Sequence, residues 1–319
     1  MAIHSTRRTS PNSCCAPQRP ALVAAAAGDF LTHGEHRIEQ APIPRQSFIM
    51  GDSSADGNPS DGETPLHTVT VEEFSIDTTT VTNTEFERFA RATGYITEAE
   101  EEGSSAVFHL AIDRDSSQIE ILGTYPGTPW WLGVAGADWR HPSGPNSSLD
   151  GLADHPVVHV TWNDASAYCR WAGRRLPTEA EWEAASRGGL DGARYPWGDS
   201  WDSDNLRANI WQGEFPTINT LGDGYLLTAP VRTYSPNAYG LWQTVGNVWE
   251  WCSDWYDAEF YSKSPGLSPV GPPSGTQRVL RGGSFLCHDS YCNRYRNSAR
   301  SSNTPNSSMS NSGFRTVAR

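Results

Sequence analysis

The sequence predicts a single compact α+β domain with little regular secondary structure. Three observations carry that prediction. Capped helix starts stand out at three places, each followed by a short apolar stripe. Strand-type alternation is confined to runs of about five residues. Trp contributes 13 of 319 residues, yet no Leu-rich periodicity extends along the chain, so the core is expected to be aromatic and the backbone around it irregular.

Residues 1–38 read as a flexible tail of scattered Ser, Pro and Arg before an Ala run, with Cys14 and Cys15 as exposed bystanders. Residues 39–319 read as one domain, at the large end of what a single domain holds. Phe48-Ile49-Met50-Gly51 predicts a strand ending in a turn, residues 52–64 a loop of Asp, Ser, Gly and Pro, and His67-Thr68-Val69-Thr70-Val71 a second strand. Thr82-Asn83-Thr84-Glu85 is a capping box that opens a helix with Phe86, Phe89 and Ala90 on one face and Gly94 as its stop. Thr161-Trp162-Asn163-Asp164 is the Asp form of the box, with Ala165, Tyr168, Cys169 and Ala172 sharing a face and Gly173 closing it. Cys169 is therefore expected as a buried, inert thiol. A third helix opens at Thr178-Glu179-Ala180-Glu181 and turns Trp182 and Ala185 inward. Beyond it loops dominate, and no fixed-period repeat is visible.

Composition excludes several classes. A formal net charge of -13 argues against nucleic acid, which usually needs a basic face. The aromatic content argues against disorder. Residues 21–27 form a weak, Ala-rich stretch that makes a poor secretory signal, and no run is long enough to span a bilayer. The six cysteines show no zinc-type spacing. A reducing cytoplasm and a monomer without membrane or nucleic-acid partners are the expectation.

The segment Arg281-Gly282-Gly283-Ser284-Phe285-Leu286-Cys287-His288-Asp289-Ser290-Tyr291-Cys292 is the richest in chemistry. Two thiols five residues apart fit neither a thioredoxin-type motif nor a zinc knuckle. Arg281, Arg294 and Arg296 would favour thiolates if they stood beside the sulfurs. Two soft thiolates without a third ligand suit Cu(I). A disulfide or a pair of buried thiols fits the same spacing, and spacing alone leaves these readings open.

The surroundings of the pair carry a resemblance. Gly-Gly-Ser-Phe-x-Cys-His-x-Ser-Tyr-Cys stands with Arg175-Leu176-Pro177-Thr178-Glu179-Ala180-Glu181-Trp182-Glu183 and Gly246-Asn247-Val248-Trp249-Glu250-Trp251. Gly94-Tyr95-Ile96-Thr97-Glu98-Ala99-Glu100, Pro129-Trp130-Trp131-Leu132 and Ala208-Asn209-Ile210-Trp211-Gln212-Gly213-Glu214-Phe215-Pro216 belong to the same set. The sequence resembles the formylglycine-generating enzymes of the sulfatase-modifying-factor family, from about Phe48 to Arg319. The resemblance implies that family's fold, a relative of the C-type lectins, and a copper-dependent, oxygen-using oxidation. The substrate would be the cysteine of a Cys-x-Pro-x-Arg sequence in a sulfatase, converted to formylglycine. It implies Cys287 and Cys292 as the Cu(I) pair, with Ser284 and Asn311 as polar groups beside them, and Trp130 and Trp131 as lining of the client groove. It implies two structural Ca2+ sites. One takes Asn209, Asp223 and the carbonyls of Ile210 and Tyr225. The other takes Gln243, Glu250 and the carbonyls of Gly246 and Val248, although Glu250 would otherwise read as a buried carboxylate paired with an Arg.

Two departures follow from the same comparison. Ser186, Asn297 and Thr316 stand where secreted relatives place disulfide cysteines, which leaves Cys169 unpaired and agrees with a bacterial, cytosolic enzyme. Residues 298–312 read as disordered by their Ser and Asn content, whereas the resemblance implies an ordered active-site loop leading into a strand Gly313-Phe314-Arg315-Thr316-Val317. A non-catalytic lectin-like module binding peptide or glycan is the competing reading, and it has no need of the Cys287/Cys292 pair.

Overall fold

The computed structural model describes residues 16–20, 34–112, 119–203 and 205–319. Helices form where a Thr side chain caps the first turn, although the box expected at Thr82 closes on one side only, because the Glu85 carboxylate turns to Arg88. Helix α1, Asn83–Thr93, starts with the Thr82 hydroxyl accepting from Glu85 N and stops on Gly94 in the left-handed region. Helix α2, Glu98–Glu102, carries a full reciprocal box between Thr97 and Glu100; it lies outside the three expected helices, although Thr97-x-x-Glu100 is the same signal. Helix α3, Trp162–Trp171, has the Thr161/Asp164 box and ends on Ala172, with Gly173 following at φ 65°. Helix α4, Glu179–Arg187, has the Thr178/Glu181 box and stops on Gly188. Each box satisfies two of the N–H groups that a helix start leaves unpaired.

Among the described residues the strands are short and distributed over five small sheets. Gln46–Met50 pairs antiparallel with His67–Val71, and Phe48 faces Val69 across the ladder. Arg300–Asn303, Arg278–Arg281 and Trp249–Trp255 run antiparallel, and Ser312–Gly313 joins them in parallel. A further sheet draws Val317–Ala318 against Phe74–Asp77 and Arg174–Arg175. The expected continuous strand 313–317 is therefore split. Its middle leaves the ladder because the Arg315 guanidinium turns inward to Glu250, while Thr316 N donates to the Asp77 carboxylate.

The core is aromatic: Trp131, Trp139, Trp182, Trp211, Trp249 and Trp251 are all buried. Cys169 packs in it, and burial pushes its thiol pKa up. Irregular backbone around this core is tied down by buried ion pairs. Arg281 bonds Glu179 and Glu183, Arg294 bonds Asp61, Arg296 bonds Glu63 and Arg300 bonds Glu179. Burial raises the Glu179 pKa, but Arg300 and Arg281 outweigh it and hold the carboxyl below its usual range. Removing one member of such a pair strands the other charge and costs about 3–5 kcal/mol.

The boundary between tail and domain needs correction. Ala16 is buried in the main core cluster, and residues 16–20 bond to Ser307, Asn303, Thr304 and Asn306. Gly34 N bonds Trp171 O, and His36 sits between Tyr168 and Asp77. Cys14, Cys15 and residues 21–27 lie outside the described residues. The Ser- and Asn-rich stretch is ordered and buried throughout. Composition misleads there because the polar side chains are consumed by internal hydrogen bonds.

Candidate active site

The candidate site begins where strand Arg278–Arg281 ends. Gly282 and Gly283 both have positive φ, 90° and 73°. A Cβ on Gly283 would stand 2.5 Å from Arg294 O and 3.0 Å from Cys287 Sγ, so only glycine fits. The chain then folds into a tight turn. Cys287 N donates to Ser284 O at 2.9 Å, Ser284 N points back at Cys287 Sγ at 3.4 Å, and Trp211 N anchors Cys287 O at 3.0 Å. Cys287 is buried and Cys292 half-buried. A second turn places Cys292: its N–H and those of Tyr291 and Asn293 all donate to His288 O. Cys169 and Cys252 are buried thiols outside this turn.

Ser284 and Asn311 come from opposite ends of the last forty residues and meet. Asn311 Nδ2 donates to Ser284 Oγ at 2.9 Å, with both side chains buried. Asn311 is held in place because its carbonyl accepts from Trp249 N at 2.8 Å. Ser284 thus links the buried thiol, through its N–H, to a polar pair, through its hydroxyl.

Beside the thiols stands an aromatic wall. Phe215 stacks on Tyr291 at 4.1 Å between ring centroids, and Trp130 meets both edge-on at 5.3 and 5.4 Å. Trp130 is half-buried. Trp131 is corrected: it is fully buried in the core and lines no groove, because neighbouring residues of strand Thr128–Ala135 point to opposite faces. Tyr291 and Phe215, which pack with Trp130, were not expected beside it, though both lie inside motifs singled out in the sequence.

The role considered for three arginines also changes. Arg281, Arg294 and Arg296 each bond buried carboxylates, so they serve as anchors of the loop rather than as uncompensated positive charge beside the sulfurs.

By donor chemistry, two cysteine sulfurs in the thiolate form would fit a soft, low-coordinate ion such as Cu(I). The first calcium set also fits a hard cation in part. Asn209 Oδ1 is buried with no hydrogen-bond donor facing it. Asp223 accepts from Gln212 and Tyr225 N, and Ile210 O from Gln212. The second set lacks a free carboxylate, although Gln243 Oε1, like Asn209 Oδ1, is buried with no donor facing it. Both oxygens of Glu250 are taken by Arg315, at 2.6 and 2.7 Å, and one also by Trp182 Nε1 at 2.7 Å. Glu250 is thus the buried partner of an arginine, and Gln243 turns its amide N–H to Pro230 O. Gly246 and Val248 are left without a carboxylate ligand to share.

Fold and site together define a loop-built α+β domain in which Cys287 backs onto a Ser–Asn pair and Cys292 follows a cluster of Trp130, Phe215 and Tyr291. The chain belongs to the sulfatase-modifying factor enzyme 1-like domain family, which matches residues 19–319. It is 58% identical over 297 residues to a formylglycine-generating enzyme of Streptomyces coelicolor, covering 93% of this chain and 94% of that one. It is 50% identical to the formylglycine-generating enzyme of Bos taurus, covering 96% and 84%. PvdO from Pseudomonas aeruginosa shares the fold, with a TM-score of 0.64 at 23% identity over 92% of this chain and 99% of that one.

Proposed function

We infer that the chain converts a sulfatase cysteine, in a Cys-x-Pro-x-Arg sequence, to formylglycine. Identity of 50–58% to enzymes named for that reaction supports the inference. The observation that carries the site assignment is the position of Ser284, with its N–H on Cys287 Sγ and its hydroxyl on Asn311. A lectin-like binding module is disfavoured, since it has no use for a buried cysteine backed by a polar pair.

The reaction balances with one molecule of oxygen. The client thiomethyl side chain becomes an aldehyde, its sulfur leaves as hydrogen sulfide, and oxygen is reduced with two electrons from the client and two from a thiol reductant. Cys287 and Cys292 would hold Cu(I), which when bound supplies soft affinity for the client sulfur and one-electron chemistry toward oxygen. The chain's own groups do the rest. Burial of Cys287 excludes water from one side, and the Ser284 N–H and the turn around it fix where its sulfur points. The Ser284–Asn311 pair offers hydrogen bonds to a small oxygen species. Trp130, Tyr291 and Phe215 would pack against the extended client.

The experiment combines purified chain, Cu(I), oxygen, a thiol reductant and a Cys-x-Pro-x-Arg peptide, with mass spectrometry for the aldehyde. Conversion by wild type and its loss in Cys287→Ser and Cys292→Ser are expected. No conversion by the copper-loaded wild type sinks the reaction; full activity in either variant sinks the site.

Structural Ca2+ at Asn209, Asp223 and the carbonyls of Ile210 and Tyr225 is part of the same reading, supported by the buried Asn209 oxygen. Calcium should raise Tm in wild type and not in Asn209→Ala; equal shifts in both discard that site. A cytoplasmic monomer is also proposed. In support of the cytoplasmic location, Ser186 and Asn297, at positions expected as cysteine in secreted relatives, are joined by a 2.8 Å hydrogen bond instead.

A further inference from the structure

One docked segment plays no part in the mechanism above. Residues 16–20 lie across the Ser- and Asn-rich stretch, and their backbone is held almost wholly by side chains of that stretch. Asn303 Nδ2 donates to Pro17 O at 2.9 Å. Arg19 N donates to Ser307 Oγ at 2.9 Å, and Arg19 O accepts from Thr304 Oγ1 at 3.0 Å. Asn306 Nδ2 donates to Pro20 O at 2.9 Å. Folded chains mostly satisfy their backbone with other backbone. Side chains gripping an extended backbone are the way a groove holds a peptide.

The side chains of the segment are recognised as well. Ala16 is buried in the cluster that contains Cys287, Trp131 and Met309. The Arg19 guanidinium bonds Ser104 O and lies against the Tyr125 hydroxyl. The gripping stretch runs directly on to Asn311, whose amide bonds Ser284 beside Cys287. Cys15 lies outside the described residues and enters through the sequence, one peptide bond before Ala16. Read from there, the segment is Cys15-Ala16-Pro17-Gln18-Arg19. That is a Cys-x-Pro-x-Arg sequence.

We propose that this sequence is an intramolecular client: residues 16–19 are docked as the part that follows a client cysteine would be, and they compete with a sulfatase for the same ground. The proposal rests on the client sequence of the preceding section. A tethered segment competes at an effective concentration of roughly millimolar, and a free client then binds with an affinity reduced by the fraction of time the groove is open. Arg19 is the strongest single anchor, because its bond to Ser104 O is charge-assisted.

The test reads binding without turnover, in the full chain. A fluorescent peptide with Ser in place of the client cysteine, Ser-x-Pro-x-Arg, is titrated by anisotropy into wild type, Arg19→Ala and Gln18→Ala. Gln18 makes none of the bonds above and serves as the matched control. Arg19→Ala should bind the peptide roughly tenfold more tightly than wild type, Gln18→Ala as wild type does, and a synthetic peptide of residues 11–20 should displace the label. Equal affinity of wild type and Arg19→Ala overturns the proposal, even if Tm falls, since the segment is then only a structural strap. No binding to Arg19→Ala, or no displacement, overturns it too. Relief of binding without any aldehyde formation would condemn the reaction and leave the intramolecular client standing.

Discussion

Gly283→Ala is the substitution whose consequences the structure specifies most fully. The residue sits at φ 73°, where an L side chain costs about 1–2 kcal/mol. The new methyl would lie 2.5 Å from Arg294 O and 3.0 Å from Cys287 Sγ. The first neighbour cannot retreat freely, because the Arg294 side chain is locked onto buried Asp61. Overpacking of this kind adds ~1–3 kcal/mol, so the total is roughly 2–5 kcal/mol. With an unfolding entropy of ~2.1 cal/mol/K per residue over the folded body, Tm should fall by about 3–8 °C. The second neighbour is the sulfur itself, displaced by several tenths of an ångström. Active sites tolerate ~0.5 Å, and kcat/KM for aldehyde formation should drop at least about tenfold. Gly94→Ala is the control: its φ is also positive, at 68°, but nothing lies within 4 Å of the added methyl. It should lose the backbone part of the stability and no activity. Calorimetry and peptide turnover on the two variants decide the matter. If Gly283→Ala keeps kcat/KM within about twofold of wild type and melts like Gly94→Ala, the placement of the Cys287 sulfur against this glycine is wrong.

Two further expectations concern the scaffold. Arg296→Met leaves Glu63 and the Ser298 hydroxyl without the guanidinium that binds them at 2.7–2.8 Å. Urea unfolding should show a loss of about 3–5 kcal/mol, part of which Glu63→Gln restores in the double variant; a loss below about 1 kcal/mol refutes the pairing. His159 is fully buried on Pro142 O and Ser105 Oγ, and burial pushes its pKa down to about 4 from 6.5. A depressed folded pKa contributes stability that is present above about pH 6.5 and lost as pH falls to about 4, here roughly 3 kcal/mol. His159→Asn should flatten that part of the curve when urea midpoints are followed from about pH 7.5 to about 4, and an unchanged slope would place the acid lability elsewhere.

What could be read from the sequence divides by range of interaction. Helix caps are local, and Thr82, Thr161 and Thr178 announce their helices; Thr97 and Glu100 carry the same signal over a helix of five residues, too short to show an apolar stripe. The thiol motif is equally local. The arginines are not. Asp61 and Arg294 are separated by 233 residues, and no pattern near Arg294 reveals that its charge is already answered. From sequence the three arginines look like activators of a thiolate; in the fold each is bonded to buried carboxylate. Glu250 is misplaced for the same reason, since its partner Arg315 is 65 positions away.

This reassignment alters what the site can be. With Arg281, Arg294 and Arg296 bonded to Glu179, Glu183, Asp61 and Glu63, their charge is already matched. The groups that the Ser284 turn brings to the Cys287 sulfur are neutral: an amide N–H and, one bond further, a hydroxyl and a carboxamide. Neutral dipoles cost less to bury than charges do, and they can be fixed in direction by backbone geometry. That explains why so much of the polar content gathers in one buried stretch. Asn303, Thr304, Asn306 and Ser307 hold the backbone of residues 17–20, and a few residues on Asn311 holds Ser284. A composition typical of disorder is here a row of hydrogen-bonding arms, one end shaped for a peptide and the other for the sulfur that the peptide would meet.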